Sequence, residues 1–213
     1  MDPYGNRYPW YQTPYNPHVY LPQYNDPYHH HHQPTGWQAT FDRTRSAFKY
    51  PNLNPALAVD TTQIRYDVRK SPRDGILLST HQQIDFAPAL AQPAYELRII
   101  SKAFPWTIDV RAPAGSVVTC GAVFEALYSM LQEPIADSEW GIAIHDKSRK
   151  ETIEKAAKAR QDKDKDKKLR RIDWLGETTA FKGLEKDEDF ERKRLLPGTQ
   201  ACPETWVVKF GKP

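Results

Sequence analysis

The alternation of apolar and polar side chains is clearest between Tyr95 and Arg111, in the middle of the chain. Apolar residues occupy every second position in two runs joined by a short turn, which is the spacing of half-buried β-strands. These apolar positions are Tyr95, Leu97 and Ile99 in the first run, and Trp106, Ile108 and Val110 in the second. The pattern predicts a hairpin with one face in a core.

A helical pattern follows this hairpin. Thr119 is a suitable N-cap, apolar residues then recur at helical spacing as far as Leu131, and Pro134 ends the run. A second, short helix is predicted to begin at Asp137 or Ser138. The first of these helices has enough apolar positions to cover one face of a sheet.

Four further segments are predicted to be strands, and a charged insertion at Glu185–Arg194 separates the last two. They are Ile64–Arg69, Ile172–Leu175, Thr178–Phe181 and Thr205–Phe210. A turn is expected at Asp74-Gly75, and residues 81–94 are expected to be irregular. The predicted fold class is α+β, with a mainly antiparallel sheet packed against one or two helices.

The first 50 residues have a different composition from the rest. Seven prolines and seven tyrosines recur along residues 1–34, and proline disrupts both helices and sheet ladders. We therefore predict a disordered Pro/Tyr-rich tail over residues 1–50, and a single domain over residues 53–211. The tail is either a segment that docks a partner or a solvated leader.

Two short features lie inside this tail. Leu21, Pro22 and Tyr24 resemble a ligand of WW-type domains and form a weak candidate partner-binding site. The histidine run His29–His32 has metal-binding side chains but no cysteine or carboxylate at ligand spacing, so we predict no metal site.

The segment Lys147–Arg171 is rich in basic residues. It carries 12 Lys/Arg and 5 Asp/Glu residues, and i,i+4 pairs such as Glu151 with Lys155 favour a helix from about Arg149 to Lys168. Because its apolar residues are few, we expect this helix to project into solvent. It is either a solvated, charge-paired helix or a surface for nucleic-acid phosphates.

Whole-chain composition narrows the class of protein. The 213 residues carry a net charge of +3, which by itself does not indicate a nucleic-acid partner. The two cysteines, Cys120 and Cys202, do not form a disulfide framework, which favours an intracellular compartment, and no apolar run has the length of a membrane span. We predict a soluble intracellular protein, in cytoplasm or nucleus, without membrane association.

No motif for catalysis, cofactor binding or metal binding is present. Cys120 lies at a predicted helix N-terminus, where its pKa would be lowered, but we favour the alternative that it is a small core residue. His81 and His145 have no motif around them, so we predict no catalytic residues, no cofactor and no enzyme activity.

An apolar-Asp-Val-Arg pattern occurs twice, at Tyr66–Arg69 and Ile108–Arg111. On a strand, Asp and Arg of each copy share the face opposite the apolar residues. This face is either a strip that binds an anionic or peptide ligand or, as we expect, the solvent side of a sheet.

The chain resembles a family of fungal domains, mainly from basidiomycetes, whose function is unknown. The resemblance covers about residues 53–211 and is carried by the elements Leu53–Leu57, Ile64–Arg69, Leu97–Ile99, Pro105–Arg111 (Pro-Trp-x-Ile-x-Val-Arg), Thr119–Leu131 and Arg171–Gly176 (Arg-Ile-Asp-Trp-Leu-Gly) and by the strand with Trp206. It implies one compact domain behind a variable tail, and it supplies no catalytic residues.

Taken together, these patterns predict a non-enzymatic interaction or scaffold module that binds a protein partner. The alternatives are a nucleic-acid-associated protein that uses residues 147–171 and an enzyme whose site is assembled from distant residues. The residues expected to mark the core are Trp106, Ile108, Val110, Leu127, Trp174 and Trp206.

Overall fold

Five strands form one mixed sheet in the computed structural model, which describes residues 49–59, 64–195 and 201–213. The strands are β1 (Tyr66–Asp67), β2 (Glu96–Ile100), β3 (Ile108–Arg111), β4 (Ala180–Glu185) and β5 (Thr205–Gly211). Their order across the sheet is β1-β4-β5-β2-β3. The predicted α+β class is confirmed.

The predicted hairpin is the pair β2–β3, which is antiparallel with Leu97 opposite Val110. Its inward positions Leu97, Ile99, Ile108 and Val110 are buried. Tyr95, which the alternation placed on the same face, is 67% exposed and precedes the strand. The alternation therefore fails at the start of the first run, whereas Trp106, which precedes β3, is buried as predicted.

The last strand in sequence, β5, lies in the centre of the sheet. It runs parallel to β2, with Ile99 opposite Trp206, and antiparallel to β4. The β4–β5 register shifts between Phe181 and Gly183. Gly183 has φ +109°, and a Cβ there would lie 2.5 Å from the backbone of Val59, so this irregularity requires glycine.

Six α-helices and one 3-10 helix accompany the sheet in the described part of the chain. The α-helices are α1 (Pro72–Gly75), α2 (Leu78–Ile84), α3 (Cys120–Gln132), α4 (Asp137–Ile144), α5 (Lys147–Asp164) and α6 (Glu188–Arg194). The 3-10 helix spans Arg171–Leu175. None of the described helices is long and apolar enough to span a membrane.

Helix α3 provides most of the helical part of the core. Thr119 caps it through a hydrogen bond from the backbone N–H of Ala122, as predicted. Phe124 packs edge-to-face against Tyr66 of β1 and Phe181 of β4, and Leu127 is fully buried. Each such side chain contributes roughly 1.5–3 kcal/mol of burial free energy.

The residues expected to mark the core are all buried. Trp106, the most exposed of them, retains 9% of its surface, and the others are Ile108, Val110, Leu127, Trp174 and Trp206. Tyr50, which lies inside the predicted tail, is also buried and packs edge-to-face against Trp206. The core therefore begins before the predicted boundary at residue 53.

One predicted strand is wrong, and another is shorter than predicted. Ile172–Leu175 belongs to the 3-10 helix, because the Asp173 carboxylate accepts the backbone N–H of Arg170 and tightens the chain into a turn. Of Ile64–Arg69, only Tyr66–Asp67 forms a strand, which pairs with β4, and the backbone N–H of Val68 donates to the carbonyl of Thr179. Asp67 then accepts the backbone N–H of Arg69 and starts a turn.

Three other segments also differ from expectation. Residues 78–84, expected to be partly irregular, form α2, and the charged insertion contains α6. The charged helix α5 is solvated on its outer face, but Ile153 and Ala157 of its inner face are buried. It is therefore docked against the domain along its length.

The two Asp-Val-Arg copies lie on solvent-facing surfaces and form ordinary ion pairs. Asp109 pairs with Arg98 at 2.7 Å across β2–β3, and Arg111 lies 3.3 Å from Glu96. Asp67 pairs with Arg69 of its own copy. Because each charge is offset locally, this face corresponds to the solvent-side interpretation.

Candidate functional site

A chain of aromatic rings joins the β2–β3 connection to the 3-10 helix. Phe104 and Trp106 stack with ring centroids 4.7 Å apart and an interplanar angle of 2°. Trp174 of the 3-10 helix meets Trp106 edge-to-face at 5.5 Å. Such pairs contribute roughly 0.5–1.5 kcal/mol beyond the area that they bury. The rings therefore help to fix the 3-10 helix against the sheet.

A buried ion pair holds the same 3-10 helix to α5. The carboxylate of Asp173, whose side chain is 2% exposed, accepts hydrogen bonds from Nε and Nη2 of Arg160 at 2.9 and 2.8 Å. At the C-terminal end of the 3-10 helix, Gly176 adopts φ +58° and ψ −120°, a conformation that favours glycine. A Cβ there would also lie 2.7 Å from Cγ2 of Thr152 on α5.

The guanidinium of Arg171 also lies over the Trp106 ring. Its guanidinium carbon lies 5.2 Å from the ring centroid. Nη2 donates to Glu139 at 2.7 Å, and Nη1 contacts Glu133. The charge of Arg171 is thus offset by two carboxylates. Through these contacts Arg171 joins the end of α3 and the start of α4 to the Trp106 ring.

A shallow groove of about 260 Å³ lies beside these rings. Its aromatic surface comes from three separate segments, and three cationic side chains lie among the rings. The aromatic residues are Phe104, Trp174 and Phe190, and the cationic residues are Lys102, Arg149 and Arg194. We call this set the cationic groove.

Arg149 and Arg194 are anchored in the cationic groove by backbone carbonyls and aromatic rings. Nη1 of Arg149 donates to the carbonyl of Trp174 at 3.4 Å, and its guanidinium lies 5.9 Å from the Trp174 ring centroid. Nη2 of Arg194 donates to the carbonyls of Pro105 and Trp106, and its guanidinium lies 5.8 Å from the Phe190 ring. Among the described residues, no carboxylate pairs with either guanidinium.

Lys102 has a different electrostatic environment. Its Nζ lies 2.7 Å from the Asp187 carboxylate, and this hydrogen bond raises the pKa of Lys102 and lowers that of Asp187. Burial lowers the pKa of Arg194, because its charge is partly removed from water without an acidic partner. The two arginines are therefore the uncompensated charges of the groove.

The side chains around the cationic groove are mainly cations and aromatic rings. The lining contains no carboxylate, histidine or cysteine. Ser101 is buried there, and its hydroxyl donates to the carbonyl of Val208 at 3.0 Å and accepts the backbone N–H of Ala103. No activated nucleophile faces the groove in the described part of the chain.

Cys120 lies elsewhere, at the buried start of α3. Its side chain is fully buried, Sγ lies 3.6 Å from the carbonyl of Pro88, and burial raises the pKa of the thiol to about 12. No side-chain hydrogen bond joins Cys120 to His81 or His145, and Cys120 and Cys202 form no disulfide. Cys120 is a core residue, so the alternative of a helix-activated nucleophile is wrong.

Six of the twelve cationic residues of the basic segment 147–171 pair with acidic side chains among the described residues. Four of its cationic residues pair with carboxylates on α5 or on neighbouring segments: Lys147 with Glu151, Lys150 with Glu154, Lys155 with Glu177 and Arg170 with Asp166. Arg160 and Arg171 are likewise paired, as described above. The described side chains thus form a charge-paired helix rather than a continuous basic stripe.

The other sequence candidates lie outside the described residues. Leu21, Pro22, Tyr24 and the His29–His32 run belong to residues 1–48, so both interpretations stay predictions. Within the described residues, no group of three or more His, Cys, Asp or Glu side chains has the geometry to hold a metal ion.

A family model described as a family of unknown function (DUF6699) matches residues 64–192. The chain belongs to this family. The matched residues include β1 to β4 and most of the cationic groove, whereas β5 and Arg194 follow them. No curated protein and no solved structure matches the chain.

Sequence reasoning missed the cationic groove because its parts are dispersed. Arg149 is one cation among many in the basic segment, and Phe190 with Arg194 lies in the charged insertion that was predicted only as a separator. The Pro105-Trp106 element was recognised, but as a core and family marker. Only the fold brings these segments together, and no spacing in the sequence indicates that they meet.

Proposed function

We propose that this chain is a non-enzymatic interaction module that binds a segment of a protein partner in the cationic groove. The observation that carries the proposal is the pair of carbonyl-anchored arginines, without acidic partners among the described residues, beside the buried ring of Trp174 and the partly exposed ring of Phe190. Aromatic residues and arginine are the types that dominate binding energy at protein interfaces. Arg149 and Arg194 are therefore the groove's own recognition groups.

The dimensions of the groove favour a peptide over an enclosed metabolite. Pockets that enclose a small molecule usually measure about 300–1,000 Å³. The cationic groove is smaller, at about 260 Å³, and open to solvent. It is suited to one or two side chains of a longer segment whose remaining length lies on the surrounding surface.

The composition of the lining supports binding over catalysis. A hydrolytic or proton-transfer site needs a base within hydrogen-bond reach of the reacting group. The groove offers cations, rings and a serine that is already hydrogen-bonded. The fungal distribution, the two family motifs and the intracellular location stay predictions of the sequence and belong to this proposal only as context.

A peptide-display selection on the full chain tests the proposal. We expect peptides to be enriched, and we expect Phe190→Ala to weaken their binding by at least about tenfold, since a groove ring contributes well over 1 kcal/mol to a small interface. The matched control is Phe86→Ala, which removes a ring that is 85% exposed and lies outside the groove.

Circular dichroism of both variants verifies that the fold is retained. Failure to enrich any peptide, or equal losses for the Phe190 and Phe86 variants, would refute a peptide site in this groove.

A further inference from the structure

We infer that the segment bound by the cationic groove is acidic, and that Arg149 and Arg194 together hold one of its anionic groups, a carboxylate or a phosphate. This inference rests on the proposed function and adds the chemistry of its ligand. It concerns two arginines that no sequence motif singled out.

The charge balance of the groove favours an anion from outside the described residues. Lys102 is offset by Asp187 at 2.7 Å, whereas neither arginine has a carboxylate partner there. On α6, the nearby Asp189 is already engaged by Arg192 at 2.9 Å. Two half-buried positive charges therefore share one small groove, and bringing a negative group between them removes an unfavourable electrostatic arrangement.

Both guanidiniums retain hydrogen-bond donors for that group. A guanidinium carries five N–H donors. The hydrogen bonds to described residues use Nη1 of Arg149, and Nη2 of Arg194. The other nitrogens of each fork are available to a carboxylate or phosphate, whose paired oxygens match the planar geometry of arginine.

The two arginines are also held in place before any ligand arrives. Each is fixed at one nitrogen by a main-chain carbonyl and stacks near a ring, at 5.9 Å from Trp174 for Arg149 and 5.8 Å from Phe190 for Arg194. Fixed side chains lose little rotamer freedom on binding, so more of the interaction energy is retained as affinity. The partly exposed ring of Phe190 offers an apolar surface for the residue next to the anionic group.

A peptide suits this arrangement better than a nucleic acid does. Nucleic-acid affinity comes from many phosphate contacts along a continuous positive surface. Here two partly buried arginines without carboxylate partners lie in one groove, whereas four cations of the neighbouring helix α5 are paired with carboxylates. One anionic side chain beside an aromatic or apolar residue matches both the charge and the size of the groove.

The test uses the full chain and four fluorescent probes in an anisotropy titration. They are an Ala/Gly nonapeptide with a central Glu-Phe-Glu, its Gln-Phe-Gln analogue, its phosphoserine-Phe-phosphoserine analogue and a 20-nucleotide single-stranded DNA. We expect the Glu peptide to bind at least about tenfold more tightly than the Gln peptide, which corresponds to one charged hydrogen bond. The phosphoserine probe distinguishes phosphate from carboxylate as the preferred source of charge.

Variants of the protein locate the binding. Arg194→Gln and Arg149→Gln are each expected to weaken the acidic peptides at least about tenfold, an effect of one charge-assisted contact. The matched control is Arg192→Gln, which removes the same charge from the same helix α6 at a side chain that is 72% exposed and paired with Asp189. This control is expected to leave affinity within about twofold, since exposed pairs contribute little.

The outcomes separate the inference from the proposed function. Equal binding of the Glu and Gln peptides, or equal losses for Arg192→Gln and the groove variants, would overturn the acidic ligand and leave the peptide groove intact. Tighter binding of the DNA than of both acidic peptides would also overturn it. If display selection enriches no peptide at all, the proposed function falls, and the inference falls with it.

Discussion

Replacing Asp173 with asparagine tests how strongly the 3-10 helix is fixed to α5. The Asp173 side chain is 2% exposed and accepts three hydrogen bonds, two from Arg160 and one from the backbone N–H of Arg170 at 2.8 Å. Asparagine keeps the shape but removes the charge, so the Arg160 guanidinium, only 14% exposed, loses its close ionic partner. This is the situation in which breaking a buried pair is costly.

The expected loss in the free energy of unfolding is about 3 kcal/mol, at the lower end of the 3–5 kcal/mol range for broken buried pairs. The lower end applies because Asp166 lies 3.9 Å from Arg160 and keeps part of the interaction. For a domain of this size, such a loss lowers the melting temperature by roughly 6–12 °C.

Urea unfolding followed by tryptophan fluorescence measures the change, because Trp174 is adjacent to the substituted residue. The matched control is Glu96→Gln, which breaks the exposed pair with Arg111 and is expected to cost less than about 1 kcal/mol. A loss below about 1 kcal/mol for Asp173→Asn, with an unchanged denaturant slope, would contradict this reasoning about the buried pair.

Four other perturbations give measurable outcomes. Gly176→Ala should cost about 1–3 kcal/mol in thermal unfolding because its φ is +58°, whereas Gly141→Ala, in open space on α4, should be neutral or stabilise by up to about 1 kcal/mol; equal effects would contradict the role of φ. A maleimide at pH 8 should label Cys202 and leave Cys120 unmodified in the native protein, because burial raises the Cys120 pKa from 9.0 to about 12. Because the folded protein favours the neutral thiol of Cys120, the contribution of this thiol to stability is full below pH 9.0 and is lost as the pH rises toward 12. Urea unfolding at alkaline pH, compared with that of Cys120→Ala, measures this loss. Leu127→Ala, at a fully buried site, should cost about 2–5 kcal/mol by urea unfolding, and a smaller loss would mean that α3 repacks.

Local patterns predicted the elements that local physics determines. The β2–β3 hairpin and helix α3 were found because alternation and helical spacing record which side faces the core. The Thr119 cap was found because a hydroxyl that accepts a helix N–H is a local interaction. These predictions needed no knowledge of the rest of the chain.

Elements determined by distant partners were not predictable in the same way. The short apolar run Ile172–Leu175 fits a buried strand as well as a helical turn, and Arg160, which α5 brings near, holds Asp173 where it caps the 3-10 helix. The inner face of α5 is formed by small or isolated apolar residues, Ile153 and Ala157, so its sequence resembles a free helix. The cationic groove belongs to the same class, since Lys102, Arg149 and Arg194 meet only in three dimensions.

The central position of β5 sets the order in which this fold assembles during translation. Of the five described strands it is the last to leave the ribosome, yet it joins the β1–β4 pair to the β2–β3 pair. Until it arrives, β4 and β2 each present an unpaired edge, through which nascent chains aggregate. We therefore expect closure of the sheet to be a late, long-range step in folding, because it needs the strand that begins at Thr205.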